Sequence, residues 1–219
     1  MLARGGVETI LIIDPDILSA GNLVRHTLSG NEIGEYKSVA LAKRLSSSAP
    51  FADISSNNKK FPVEENEVND LIEKYDVVID CSADDEVIRA LSLGYWSIEK
   101  LFISAFVGYK ARSTYVYSHL GLQFPLQLFQ SSLEPYLRRE RAAWVDGGET
   151  IEGAGCWSPL FPARMDDLLL AASSTIKVLE ELVEKFEIGT SLIIFKQIYE
   201  DNFQGLKRVN VPGNFGEKG

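Results

Sequence analysis

Val7-Glu8-Thr9-Ile10-Leu11-Ile12-Ile13 is a β-branched, apolar run that stops at Asp14-Pro15-Asp16. Nearly every position is apolar, not every second one, so the run reads as a strand covered on both faces, as in a parallel sheet. Val77-Val78-Ile79-Asp80-Cys81 and Leu101-Phe102-Ile103-Ser104-Ala105-Phe106 read the same way. Helical patterns fall between these strands, over Lys37–Leu45, Glu64–Lys74 and Asp85–Leu93. Strands alternating with helices predict an α/β chain built on a doubly wound, mainly parallel sheet.

The second half reads as an antiparallel extension of that sheet. Ser113–Tyr117 is β-branched and aromatic and continues the sheet beside Ser104–Val107. Ile188–Tyr199 and Leu206–Val211 form a terminal antiparallel pair. Leu122–Leu137 carries Pro125 and Pro135 and reads as short helix and loop, followed by Arg138–Arg141 as a solvated helix end. Asp146–Glu149 and Gly153–Gly155 mark a flexible crossing. Met165–Phe186 is a long amphipathic helix with Asp166 and Asp167 at its positive end and Gly189 near its stop. The expected organisation is one domain over residues 1–211 and a polar tail over 212–219.

Composition narrows the function. The 219 residues hold 22 basic and 31 acidic side chains, a formal charge of −9, with a sequence pI near 4.8. That balance argues against nucleic-acid binding, which needs a basic face. No apolar run approaches the roughly 20 residues that cross a bilayer. Cys81 and Cys156 are too few for a disulfide framework and point to the reducing cytoplasm.

Ligands of such sheets bind at the carboxyl ends of the strands. Here those ends carry Asp14 and Asp16 after one strand, and Asp80, Asp84 and Asp85 after another. Taken singly, each acid is accounted for by turns and helix caps. The block that follows is more specific. Asn22 comes eight positions after Asp14, Arg25 three after Asn22, and Ile33-Gly34-Glu35-Tyr36-Lys37 closes it. This D-x-D, N-L-x-R, I-G-x-x-K arrangement resembles the ThiF/MoeB and ubiquitin-activating-enzyme family, and Val77–Ser82 looks like that family's V-L-D-C-T strand end. The resemblance runs from Met1 to about Gly189 and weakens after Phe106.

The resemblance implies a Rossmann-like fold and ATP-dependent adenylation of the C-terminal carboxylate of a small ubiquitin-like or other protein. Asp14 would hold the ribose, with Asn22 in the same nucleotide site, and Arg25 and Lys37 would neutralise phosphate charge. Asp84, or Asp85 one residue on, would hold Mg2+. The chemistry suits those residue types: a carboxylate is already a nucleophile, so alignment and charge neutralisation set the barrier. The resemblance further implies a homodimer. Two departures stand out. His26 takes the place of the family's usual Gln, and the family's first strand and G-x-G-G-x-G loop are not found, so the chain reads as N-terminally truncated. Gly5-Gly6 precedes a strand and does not open a helix, so it does not replace that loop. Weak ATP binding, and adenylation only when that segment is supplied, are expected from its loss.

Gly155-Cys156-Trp157-Ser158-Pro159-Leu160-Phe161-Pro162 corresponds to the family segment C-x-x-C-L-F-P, half of a tetrathiolate zinc site. Pro159 stands at the second cysteine position, so no zinc of that type is expected. This version is similar to the activating domains fused to ubiquitin-conjugating domains in bacterial anti-phage operons, where a cysteine in this segment can receive the substrate as a thioester. Cys156 is therefore either a nucleophile toward the acyl adenylate or a small apolar residue. Cys81 reads as structural. Two rivals remain: a nicotinamide-dependent oxidoreductase using Asp14 for ribose, which leaves Arg25 and Lys37 without a task, and a non-catalytic dimerisation or adaptor module.

Overall fold

The computed structural model describes residues 1–61, 70–147, 163–185 and 189–212. Strand β1 (Thr9–Ile13) pairs in parallel with β2 (Asp53–Asn57), and helix α1 (Lys37–Ser48) joins them. Strand β3 (Val77–Asp80) pairs in parallel with β4 (Lys100–Val107) through α2 (Asp85–Leu93). Antiparallel strands β5 (Ser113–Gly121), β6 (Thr190–Tyr199) and β7 (Phe203–Asn210) extend the sheet in the order β3-β4-β5-β6-β7. Helix α3 (Leu126–Gly147) follows β5, and α4 (Met165–Lys185) precedes β6. The expected α/β class, with an antiparallel extension, is what the chain adopts.

The strands form two ladders, β1-β2 and β3 to β7. The break lies between β1 and β3, two of the apolar strands that the sequence assigns to one parallel sheet. Packing nevertheless links the ladders: Ile13 at the end of β1 lies against the core that holds Phe102 and Tyr117, and Leu2 lies against the opposite core.

Alternation along the strands divides that core into two layers. Phe102, Tyr115 and Tyr117 face a predominantly aromatic layer with Trp96, Phe124 and Leu133. Ring centroids there sit 5.3 Å apart for Trp96–Phe102 and 5.2 Å for Phe124–Phe129. Ile103, Ala105 and Val116 face the other way, onto Val178 and Leu179 of α4. A sheet buried on both faces explains why its strands read as nearly continuous apolar runs.

Two readings need correction. Leu122–Leu137 is not short helix and loop: α3 runs unbroken through Pro135 to Gly147, and Arg138 lies mid-helix, bonded to Glu134 at 2.7 Å. Leu126, Phe129, Leu133 and Tyr136 fall on one helical face and pack on the aromatic core. That burial outweighs the one backbone bond that Pro135 removes. Strand β2 has no counterpart in the sequence reading. Asp-Ile-Ser-Ser-Asn is polar because β2 is an edge strand among the described residues: β1 pairs with one side and α1 packs on it, while Asp53, Ser55 and Ser56 stay exposed, which protects the edge against pairing with other chains. Most of the helical pattern over Glu64–Lys74 falls outside the described residues; 70–73 are helical. The Gly153–Gly155 crossing and most of the tail are also outside. No helix among the described residues is long and apolar enough to cross a membrane.

Candidate functional site

At the carboxyl end of β1, the turn Asp14–Asp16 is bonded to the start of α1. Asp14 Oδ1 accepts the Asp16 N–H at 2.8 Å, and the Asp14 carbonyl accepts Ser38 Oγ at 2.8 Å. The Asp16 carbonyl accepts the Lys37 N–H at 2.8 Å, while Lys37 Nζ meets Asp16 Oδ2 at 2.7 Å. Lys37 and Ser38 are buried although they open a helix, because this turn covers them. A further pairing, Leu18 N–H to the Glu35 carbonyl at 2.9 Å and Gly34 N–H to the Leu18 carbonyl at 2.9 Å, returns the chain to the turn. Gly34 has φ of +92°, a left-handed conformation that glycine adopts without strain.

Asn22 and Arg25 lie on the excursion between these two pairings. Asn22 Oδ1 accepts Ser19 N–H at 3.0 Å and Ser19 Oγ at 3.0 Å, closing a capping box over the short 3-10 turn Ala20–Asn22. The Arg25 N–H donates to the Asn22 carbonyl at 3.1 Å, and Arg25 is half-buried. His26 Nδ1 accepts the Leu28 N–H at 3.2 Å, so in the neutral ring the proton sits on Nε2. Burial holds the His26 pKa below its ordinary value. The Lys37 and Arg44 charges push the same way, against Asp14. His26 thus shares an electrostatic neighbourhood with Asp14 and Lys37, and it keeps a single N–H donor on its free ring nitrogen at neutral pH.

A second acidic turn ends β3. Asp80 is buried and fully bonded: Oδ1 accepts Ser82 N–H at 3.0 Å and Ser82 Oγ at 2.6 Å, and Oδ2 accepts Ser104 Oγ at 2.9 Å. Asp84 caps α2, its Oδ1 accepting the Glu86 N–H at 2.8 Å. Asp85 opens the helix and is exposed. Dense protein around the strand end, with the Asp80 charge beside it, pushes the Cys81 thiol up to about 11 even though the residue is exposed. At neutral pH it is a protonated thiol and a poor nucleophile. Cys156 lies outside the described residues.

Backbone strain collects at the same sheet edge. Among the described residues the non-glycine positions with positive φ are Ala83 at 52°, Lys110 at 53° and Ala111 at 50°. They follow β3 and β4, whose parallel register brings Asp80 opposite Ser104. Glu140 of α3 holds the second turn, accepting Tyr109 N–H at 2.7 Å and Tyr115 Oη–H at 2.5 Å. Strained residues fixed by their surroundings concentrate where ligands are held.

The structure therefore joins Asp14 and Lys37 in one hydrogen-bonded network, with His26 in its electrostatic reach. Asn22 and Arg25 lie on the adjoining excursion, and Asp84 lies on the separate turn after β3. Asp16 was named from sequence as a strand-end acid without a role, and two participants, Ser38 and Ser104, were not singled out and carry no local signal.

Residues 1–126 match the model of the ThiF family. The chain belongs to the ThiF family. Over 186 residues it is 35% identical to the ATP-dependent ubiquitin transferase-like protein Cap2 of Enterobacter hormaechei subsp. hoffmannii (strain UCI 50), covering 83% of this chain and 30% of that protein. A second Cap2, from Escherichia coli (strain TW11681), is 33% identical over 82 residues, 37% of this chain and 13% of that one. The ThiF-family chain thus spans less than a third of the length of these curated relatives. The fold also superposes on the crystal structure of E. coli MccB with ATP, at a TM-score of 0.59 and 12% identity over 95% of this chain and 58% of that chain. Selenomethionine PaaA gives 0.59 at 14% identity, over 95% and 66%.

Asp80 has both carboxylate oxygens engaged by protein donors, so it is unsuited to a cation. Asp84 uses Oδ1 as a cap, which suits a metal held by one carboxylate together with phosphates and water. Among the described residues no three His, Cys, Asp or Glu side chains gather into a preformed metal site. At the other turn, the buried Lys37 ammonium is held by Asp16, whose N–H donates to Asp14, so a cation and a hydroxyl acceptor belong to one network, as a ribose phosphate requires.

Proposed function

We propose that this chain is an adenylation domain that uses ATP to activate the C-terminal carboxylate of a small protein, ubiquitin-like or other. The observation that carries the reading is the closed Asp14–Asp16–Lys37–Ser38 network, which presents an acid for ribose beside a cation for phosphate at a strand end. Asp14 binds ribose hydroxyls, Lys37 and Arg25 neutralise phosphate charge, and Asn22 fixes the turn that carries Arg25. Asp84 or Asp85 holds Mg2+. ATP, when bound, supplies the α-phosphorus as electrophile. The substrate carboxylate oxygen bonds to that phosphorus, the bond to the bridging oxygen breaks, and pyrophosphate leaves with its electron pair. No side chain needs to take a proton. The protein contributes alignment and fixed positive charge.

Within this reading the Cys156 sulfur bonds to the acyl carbon of the adenylate, the bond from that carbon to the AMP oxygen breaks, AMP leaves with its electron pair, and the thiol proton passes to water. Partners are a carboxylate-terminated protein, a ubiquitin-conjugating-type domain and a second copy of this chain. Exposed Ile17, Val24, Ile33, Tyr36 and Val39 all lie on the segment around the nucleotide turn and support pairing of copies there.

The test is ATP–pyrophosphate exchange by the chain supplied with a strand and glycine-rich loop ahead of Met1, in the presence of a small protein with a free C-terminal carboxylate, with the same protein amidated at its C-terminus as control. Exchange should require the carboxylate and disappear in Arg25→Ala and Lys37→Ala. Exchange that survives both substitutions would place the chemistry elsewhere.

A further inference from the structure

Asp16 stands between the two residues to which ribose and phosphate are assigned. Its Oδ2 takes the Lys37 ammonium at 2.7 Å, its carbonyl accepts the Lys37 N–H at 2.8 Å, and its own N–H donates to Asp14 Oδ1 at 2.8 Å. The wholly buried Ser38 closes the ring through the Asp14 carbonyl at 2.8 Å. The Lys37 side chain is 7% exposed and that of Asp16 51%. An ammonium removed from water to that extent needs an opposite charge in contact. Lys37 carries three N–H donors, so one bond to Asp16 fixes the direction of the amine and leaves two for a phosphate.

We propose that Asp16 is a positioning residue for nucleotide binding. Its side chain aims Lys37, its main chain aims Asp14, and it does not itself touch ATP. The proposal rests on the nucleotide reading given above. Its two arms are separable by substitution. Asp16→Asn keeps the N–H that holds Asp14 and loses the charge that holds Lys37. The phosphate contact should therefore weaken while the ribose contact persists.

The experiment uses the full chain, its Asp16→Asn variant and its Asp16→Glu variant. Lysine acetylation is followed by mass spectrometry, with the exposed Lys43 as internal reference, and affinities for MgATP and Mg-2′-deoxyATP are measured by calorimetry. In the parent chain Lys37 should label more slowly than Lys43. Asp16→Asn should raise Lys37 labelling severalfold and weaken MgATP by about tenfold, the order expected when one charge-assisted hydrogen bond is lost. The ratio of ATP to 2′-deoxyATP affinity should not change, and Asp16→Glu should recover part of the loss. Unchanged Lys37 labelling would overturn the proposal. So would tighter MgATP binding by Asp16→Asn, which would make Asp16 a competitor of the phosphate. Failure of the parent chain to bind MgATP would sink the nucleotide reading and the phosphate half of the proposal. The labelling arm would still decide whether Asp16 holds Lys37.

Discussion

Asp80 and Ser104 face each other in register across the parallel pair β3-β4, and the Ser104 hydroxyl donates to Asp80 Oδ2 at 2.9 Å. The bond pins the end of β3, from which the Ser82–Asp84 turn departs, to the neighbouring strand β4. Hydrogen bonds to a buried charged group contribute roughly 1.5–3 kcal/mol. Ser104→Ala should lower unfolding free energy by about 2 kcal/mol, read as a shift of the urea midpoint at constant slope. A shift within experimental error would mean that Asp80 finds another donor.

Both histidines tie stability to pH. His26 and His119 have pKa values held below the ordinary 6.5, chiefly by burial. Their neutral forms are therefore favoured in the folded state, and the unfolded chain binds more protons at mildly acid pH. The stabilisation is fully present above about 6.5 and is lost as pH falls through the lowered folded values. Urea unfolding at pH 7.5 and 5.5 should show the chain weaker at 5.5, and His26→Gln should reduce that difference. An undiminished difference in both His26→Gln and His119→Gln would assign the slope to other groups.

Lys110 bears a left-handed conformation, φ 53°, that costs a non-glycine residue roughly 1–2 kcal/mol. Lys110→Gly should raise stability by about 1 kcal/mol or somewhat less, since glycine also loses more chain entropy on folding. Thermal melting checks this. A variant that melts lower would show that the Lys110 side chain, which lies 5.3 Å from the Tyr109 ring centroid, holds the turn more strongly than the backbone resists it.

What was legible in the sequence follows from burial. Strands β1, β3 and β4 are covered on both faces and so announce themselves as apolar runs, and Asp84 before Asp85–Leu93 announces a capped helix. Strand β2 gave no such signal because an edge strand buries little. Helix α3 was hidden by Pro135, whose local cost is overridden by an aromatic core assembled from distant segments. The block that carries Asp14, Asn22, Arg25 and Lys37 was readable through motif spacing, which pointed to the ThiF family. The Asp16–Lys37 contact was not, since its partners are 21 positions apart and meet only when β1 and α1 pack. The Asp80–Ser104 bond depends in the same way on strand register, which no single strand encodes.

The most direct test of the account is backbone amide NMR of the chain titrated with MgATP. Shifts should concentrate at Asp14–Asp16, Arg25–His26, Lys37–Ser38 and Asp84–Glu86, and should vanish in Lys37→Ala. Shifts absent from all four stretches at millimolar MgATP, or confined to the β6-β7 hairpin, would contradict the assignment of the strand ends as a nucleotide site.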